Sequence, residues 1–229
     1  MSSELGTVIV TGGASGLGAA VAHAVHEAGG TPVVLDLRPP ANGFPGRVVD
    51  LADTRAAEAA VDAVVKERGG LGGVVTAAGI DACGQLTEVD ARTWERVVAV
   101  NLLGTAAVVR AALPHLERSG GRVVTVASTL GLKAVSDATA YCASKFGVVG
   151  FTRALAAETA GRVGVTLLIP GGMRTHFFDG RPERYKPGPD AHLAEPSEIA
   201  RAVVFALGRP AGVELRELVM AADTEPSWP

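Results

Sequence analysis

Eight residues near the start, Thr11-Gly12-Gly13-Ala14-Ser15-Gly16-Leu17-Gly18, join a β-branched run (Thr7–Val10) to an Ala-rich stretch of helical character reaching about Ala28. A glycine cluster at such a junction turns a strand directly into a helix and lets main chain approach a bound group closely. It also leaves the helix's first N–H groups and its positive dipole end facing outward, which suits a pyrophosphate. The spacing is not G-x-G-x-x-G, and no Gly-Lys-Ser/Thr follows, which speaks against a triphosphate P-loop. Taken alone, the segment is a moderate signal, the alternative being a tight strand-to-helix turn with no ligand.

The rest of the chain repeats the strand-then-helix theme. Further strands are expected at Pro32–Leu35, Arg47–Val49, Gly73–Ala77, Arg122–Ala127, Val165–Ile169 and Leu215–Met220. Helices are expected at Ala56–Arg68, Thr87–Leu116 with a break, Ala140–Ala160, and Ser197–Leu207 with Ser197 as its N-cap. Strands alternating with helices imply βαβ units and a parallel sheet, and right-handed crossovers put helices on both faces. The expected fold is therefore α/β, a doubly wound parallel sheet of about seven strands. A length of 229 residues fits one domain, 1–229. Aromatics are only 4%, so Ala and Val must fill much of the core. The Pro/Gly-rich segment from Gly171 to Pro196 is long for a connector, and a substrate lid is expected at about 172–195.

Composition narrows the partners. The net charge is −3 with no basic run, which argues against nucleic acid. No apolar stretch is read as approaching a membrane span, and the start lacks a basic, then apolar, leader, so a cytoplasmic protein with no membrane partner is expected. Cys83 and Cys142 follow no metal spacing and read as reduced, largely buried thiols; no metal site is expected.

Strand ends on one edge of a parallel sheet converge on ligands. Asp36 ends the second strand, 18 residues past Gly18, where a carboxylate accepts hydrogen bonds from adenosine ribose hydroxyls and repels a 2′-phosphate. Ser15, not a basic residue, precedes Gly16. Both features favour NAD over NADP; Arg38, whose guanidinium can pair with a phosphate, dissents but reads better as an exposed loop charge. Ser128 follows the fifth strand, and Tyr141 and Lys145 lie four apart on one face of the next helix. A phenol titrates near pH 10, and a neighbouring ammonium lowers that value toward a useful acid/base range. Ser128 can stabilise charge developing on a substrate oxygen. Without the rest of this setting, a Tyr-x-x-x-Lys pair is an ordinary feature of a solvated helix.

Together these residues resemble the short-chain dehydrogenase/reductase family in its single-domain, Rossmann-like form, from about Thr7 to Leu207. The glycine segment matches T-G-x-x-x-G-x-G, Tyr141-Cys142-Ala143-Ser144-Lys145 matches Y-x-A-S-K, and Ser128 stands 13 positions before the tyrosine. The resemblance implies a catalytic tetrad of Asn101, Ser128, Tyr141 and Lys145. Tyr141 would exchange a proton with the substrate oxygen, Lys145 would lower its pKa and bind the nicotinamide ribose, and Asn101 would hold a relay water. It also implies cofactor contacts from Gly12, Ser15, Gly16, Leu17, Gly18, Asp36, Asp50, Leu51, Ala78, Gly79, Pro170, Gly171 and Thr175, Asp50-Leu51 on the adenine side and Thr175 on the nicotinamide carboxamide. A homodimer or homotetramer is implied as well. Two segments depart from the pattern. Thr76-Ala77-Ala78-Gly79 stands where the family has N-N-A-G, and the C-terminus lacks V-D-G-G, which bears on the second subunit interface.

The expected activity is NAD(H)-dependent interconversion of a secondary alcohol and a ketone, with Tyr141 as general acid/base. The alternatives are an NADP(H)-dependent ketone reductase and a non-catalytic NAD-binding protein on the same fold. Leu130, Leu132, Val135, Met173, Phe177 and Phe178 suggest an apolar pocket wall and an apolar or cyclic substrate. His176, Phe177 and Phe178 read equally as pocket lining or lid packing. Trp94 reads as packing, Trp228 as cover for an apolar patch or a partner subunit, and His23 and His26 as a solvated or interface face.

Overall fold

The computed structural model describes residues 5–40 and 43–228; residues 1–4, on which the leader expectation partly rests, and Pro229 lie outside them. Seven parallel strands, β1 (Thr7–Thr11), β2 (Thr31–Asp36), β3 (Gly46–Val48), β4 (Gly73–Thr76), β5 (Arg122–Val126), β6 (Gly164–Pro170) and β7 (Glu217–Met220), form one sheet in the order β3-β2-β1-β4-β5-β6-β7. The order reverses between β1 and β4, and such a switch point opens a crevice beyond the carboxyl ends of the strands.

Among the described residues, six α-helices cover the sheet: α1 (Gly16–Glu27), α2 (Thr54–Arg68), α3 (Ala91–Val98), α4 (Thr105–Ser119), α5 (Thr139–Glu158) and α6 (Pro196–Leu207). Alternate strand residues serve opposite faces, as the two-residue period of a strand requires. Ile9, Val74 and Val123 pack with Val61 of α2, Val108 of α4 and Leu155 of α5. Val8, Val10, Val75 and Val124 pack with Val21 of α1 and Ile199 and Val203 of α6. Both faces are thus buried, which is why these strands read as unbroken apolar runs. Each fully buried Val, Leu or Ile contributes about 1.5–3 kcal/mol over its exposed state.

Local chemistry sets the helix ends. Asp53 caps α2 by accepting from the Arg55 and Ala56 amides, and Gly69 ends it in a left-handed turn (φ 79°). The helix expected from Thr87 begins only at Ala91, because Asp90 accepts from the Thr93 amide and caps it there. The expected break is a π-helical turn, Ala99–Gly104, between α3 and α4. Ser197 is not the N-cap of α6: Pro196 already occupies its first turn, where a missing N–H costs nothing, and Glu195 stands at the cap position. The expectation that no apolar stretch approaches a membrane span also needs correction. The run Ala91–Ser119 reaches a mean hydropathy of 1.7 over its most apolar window. Half of that window is buried, with Val108, Val109, Ala112 and Leu116 facing the sheet, so it is a core helix.

Candidate active site

One cavity of about 990 Å³ runs along the carboxyl ends of β1, β2, β4, β5 and β6. Of the expected catalytic tetrad, Asn101 is the member that does not line it; all the expected cofactor contacts, with Ser128, Tyr141 and Lys145, do. The site falls into a glycine-turn end and a polar end.

At the glycine-turn end, Ser15 precedes α1 in extended conformation (φ −159°) and makes no side-chain cap. The first-turn N–H groups of α1 therefore face the cavity without a capping side chain, a fit for a dinucleotide pyrophosphate. Gly18 has no room for a side chain, since a β-carbon there would sit 2.2 Å from the Gly12 carbonyl oxygen. Asp36 closes this end. Its Oδ2 accepts from the Ala14 amide and its Oδ1 from the Arg38 amide, both at 3.0 Å, so the carboxylate also braces the glycine turn. Arg38 is exposed, as expected, but not free: its Nη2 donates to Ser15 Oγ at 3.1 Å, across the cavity mouth. Asp50 Oδ2 accepts from Arg96 Nη2 at 3.0 Å, and Arg96 lines the cavity beside Leu51. The sequence reading had no role for Arg96, which stands 46 residues from Asp50 and carries no local signal.

At the other end, β5 delivers Ser128, whose Oγ accepts from the Leu130 amide, and α5 delivers Tyr141 and Lys145. All three side chains are buried. Burial pushes the Tyr141 phenol up to about 12, while the Ser128 hydroxyl pulls in the opposite direction. Burial also pushes Lys145 down to about 8. The expected lowering of Tyr141 by Lys145 is therefore not the arrangement found here. The ammonium donates to the Val126 carbonyl at 2.8 Å and stands 5.6 Å from the Tyr141 ring centroid, so desolvation dominates both groups. Tyr141 is a neutral phenol across the neutral range, the form that donates a proton.

Asn101 sits in the π turn, a distortion often found at functional sites. Its Oδ1 accepts from the Ile80 amide and its Nδ2 donates to the Ile80 carbonyl, each at 2.9 Å, and to Ser144 Oγ at 3.0 Å. The side chain thus clamps the segment after β4 at Ile80. A β-carbon on Gly79 would lie 3.6 Å from both Asn101 Oδ1 and Lys145 Nζ, so both face the same stretch of main chain. Where N-N-A-G is replaced, the Ala78 amide donates to Thr11 Oγ1, and Thr76 Oγ1 is buried with no partner among the described residues.

The segment after β6 crosses the cavity. Thr175 caps a short 3₁₀ turn, His176–Phe178, and packs 3.5 Å from the β-carbon position of Gly16. His176, Phe177 and Phe178 all line the cavity; Phe177 also packs 5.7 Å from the Tyr141 ring and 5.7 Å from Phe178, while His176 is exposed and pairs with Asp179. Arg181 stacks 4.6 Å over Phe178 and pairs with Asp81 at 2.6 Å, with only 18% and 6% of the two side chains exposed. This pair, one hundred residues apart in sequence, had no sequence signal. Leu130 and Met173 join the cavity wall, but Leu132 packs into the core and Val135 faces outward, 40% exposed. Tyr185, Lys186, Asp190, His192 and Glu225 add polar groups, so the wall is less apolar than expected.

The set-aside residues also find places. Trp94 Nε1 donates to Thr139 Oγ1, pinning α3 to the start of α5. His23 and His26 stack on Phe44 at 5.0 and 5.4 Å instead of presenting a bare face. Both cysteines are free; Cys142 is buried, and half-buried Cys83 is raised to about 11 by burial and by Asp81, which accepts from its thiol.

A family model described as short chain dehydrogenase matches residues 6–186. The chain is 36% identical over 217 residues to a D-threitol dehydrogenase of Mycolicibacterium smegmatis, covering 86% of this chain and 84% of the relative. It is 32% identical over 216 residues to a cis-4-hydroxycyclohexanecarboxylate dehydrogenase of Sinomonas cyclohexanicum, covering 86% and 87%. The ligand-free aldohexose dehydrogenase of Thermoplasma acidophilum superposes with a TM-score of 0.86 at 25% identity, over 96% of this chain and 95% of that one.

Proposed function

The chain belongs to the short-chain dehydrogenase family, whose members use NAD or NADP on alcohols and ketones, and from that premise we propose that it interconverts a secondary alcohol and a ketone with NAD(H), using Tyr141 as the proton donor and acceptor. The observation that carries this reading is the buried cluster of Ser128, Tyr141 and Lys145 at the polar end of a cavity whose other end is an uncapped helix start.

When bound, the nicotinamide supplies or accepts the hydride. In the reducing direction, neutral Tyr141 would give its proton to the substrate's carbonyl oxygen and be left as tyrosinate; in the oxidising direction that tyrosinate would take the proton of the substrate hydroxyl. Ser128 orients that oxygen and shares the charge developing on it. Lys145 would hold the nicotinamide ribose, and its cation would oppose, without outweighing, the desolvation that keeps Tyr141 neutral. Asn101 holds Ile80 and so fixes the wall facing Lys145. The segment at about 172–195 acts as the lid, latched through Arg181 to Asp81. Gly12, Ser15, Gly16, Leu17 and Gly18 hold the pyrophosphate, Asp50 and Leu51 the adenine, and Pro170, Gly171 and Thr175 the nicotinamide.

Asp36 at the end of β2 supports NAD, because its carboxylate repels a 2′-phosphate. A second reading rests on Arg38: its guanidinium on Ser15 stands where it can pair with that phosphate, which favours NADP. The mixed wall supports a substrate with a carbon ring or short chain bearing a few hydroxyls. The test is titration with NADH and NADPH, followed by an oxidation panel of cyclohexanol, D-threitol and aldohexoses. NADH binding at least tenfold tighter than NADPH, with turnover of a neutral alcohol, is expected. Tighter NADPH binding overturns the assignment to Asp36, and a polyanionic best substrate overturns the reading of the wall.

A further inference from the structure

The chain leaves β7 at Met220 and turns back over the cavity, which Thr224, Glu225, Pro226 and Ser227 line. Glu225 is the hub of this tail. Its Oε2 accepts from the Gly172 amide at 2.7 Å, and its Oε1 accepts from the Ser227 amide at 3.1 Å and the Ser227 hydroxyl at 2.6 Å. Because Ser227 spends its single proton on Glu225, the 2.6 Å contact between Thr129 Oγ1 and Ser227 Oγ must run from threonine to serine. The result is a directed chain, Thr129 to Ser227 to Glu225, meeting the Gly172 amide at the same carboxylate. Lys133 Nζ adds a bond to the Pro226 carbonyl at 3.1 Å.

These contacts join two edges that the sheet does not join there. Thr129 follows Ser128 in the turn after β5, and Gly172 follows Pro170-Gly171 after β6. The fit is close: a β-carbon on Gly171 would lie 2.5 Å from Glu225 Oε2 and 2.7 Å from the Ala221 methyl. Burial raises the Glu225 carboxyl, but the Ser227 hydroxyl and the Gly172 and Ser227 amides outweigh it and hold the group below its ordinary value. It is therefore an acceptor throughout the neutral range, as the geometry needs.

We propose that Glu225 is a positioning residue for the reaction, and that the tail Thr224–Ser227 is a fixed wall of the substrate pocket that holds the Ser128 turn and the Gly171–Gly172 segment in register. The inference rests on Ser128 and Tyr141 as the reacting groups.

Full-length Glu225→Gln, Ser227→Ala and Tyr141→Phe are compared by hydrogen exchange, NADH titration and turnover of cyclohexanol and D-threitol with NAD. A carboxamide cannot accept from Gly172 and Ser227 together, since one of its ends is a donor. Glu225→Gln should speed amide exchange over Gly131–Lys133 by about tenfold or more and lower kcat by about tenfold, with the NADH Kd within twofold. Ser227→Ala should speed exchange at Gly131–Lys133 while leaving the Gly172 amide protected. Wild-type exchange at Gly131–Lys133 in both variants, or wild-type kcat in both, overturns the proposal. Full turnover in Tyr141→Phe instead brings down the reading of the reacting groups and leaves the exchange coupling standing, so the two failures are told apart.

Discussion

At the glycine-turn end, the cavity is made from neighbouring strand ends and nearby sequence: β1 runs into α1, and Asp36 and Arg38 close the turn from β2. At the other end, the wall comes from segments around residues 80, 128, 176 and 225 that meet only in the folded chain. The first end depends mostly on main-chain groups, a missing side chain and the Asp36 carboxylate, with one long-range pair, Asp50 with Arg96. The second depends on long-range side-chain pairs, among them Asp81 with Arg181 and Thr129 with Ser227. A site built locally tolerates little change at its glycines, whereas one built from distant pairs can be retuned one pair at a time without disturbing the cofactor.

Gly18→Ala is expected to give the largest separation of the two ends. Its β-carbon would collide with the Gly12 carbonyl, main chain that cannot rotate away, so the glycine turn must shift. Dinucleotide binding measured by fluorescence titration should weaken about a hundredfold. Unchanged binding would mean that the turn is not the pyrophosphate site.

Arg181→Met probes the opposite end. It removes the lid's ion pair with Asp81 and the stacking on Phe178. The alcohol KM should rise about tenfold while the dinucleotide Kd stays within twofold. Equal losses in both would erase the distinction between the two ends.

That distinction also explains what the sequence made legible. The strand and helix order follows from apolar periodicity and glycine punctuation, and the strands, α1, α2 and α5 lie within a few residues of expectation. Tyr141 and Lys145 share a helix face by spacing alone. Arg96, Asp81, Arg181 and Glu225 were not legible, because each earns its place from a partner at least 46 residues away. The clamp role of Asn101 was hidden because its partner, 21 residues away, is the Ile80 main chain, which carries no side-chain signal. The Ser197 cap failed to a local competitor, Pro196.

A smaller effect concerns the seam between the ends. The Lys145 ammonium is about 8 when folded against an ordinary 10.5, so between these values the unfolded chain binds more protons and stability must rise with pH. Tyr141, raised to about 12 from 10.0, opposes this only above pH 10. Thermal melts from pH 8 to 10 should therefore show the wild type gaining stability relative to Lys145→Met. A constant difference across that range would show that Lys145 is not desolvated as described.

The most direct measurement is single-turnover hydride transfer by Tyr141→Phe with saturating NADH and cyclohexanone, read beside NADH titration of the same preparation. The buried phenol bonds the Ser128 hydroxyl, and general acid catalysis accounts for about 10²–10⁴-fold in rate. Loss of transfer by about a thousandfold with an unchanged NADH Kd is the expected result. Transfer within tenfold of wild type would contradict the assignment of the proton to Tyr141.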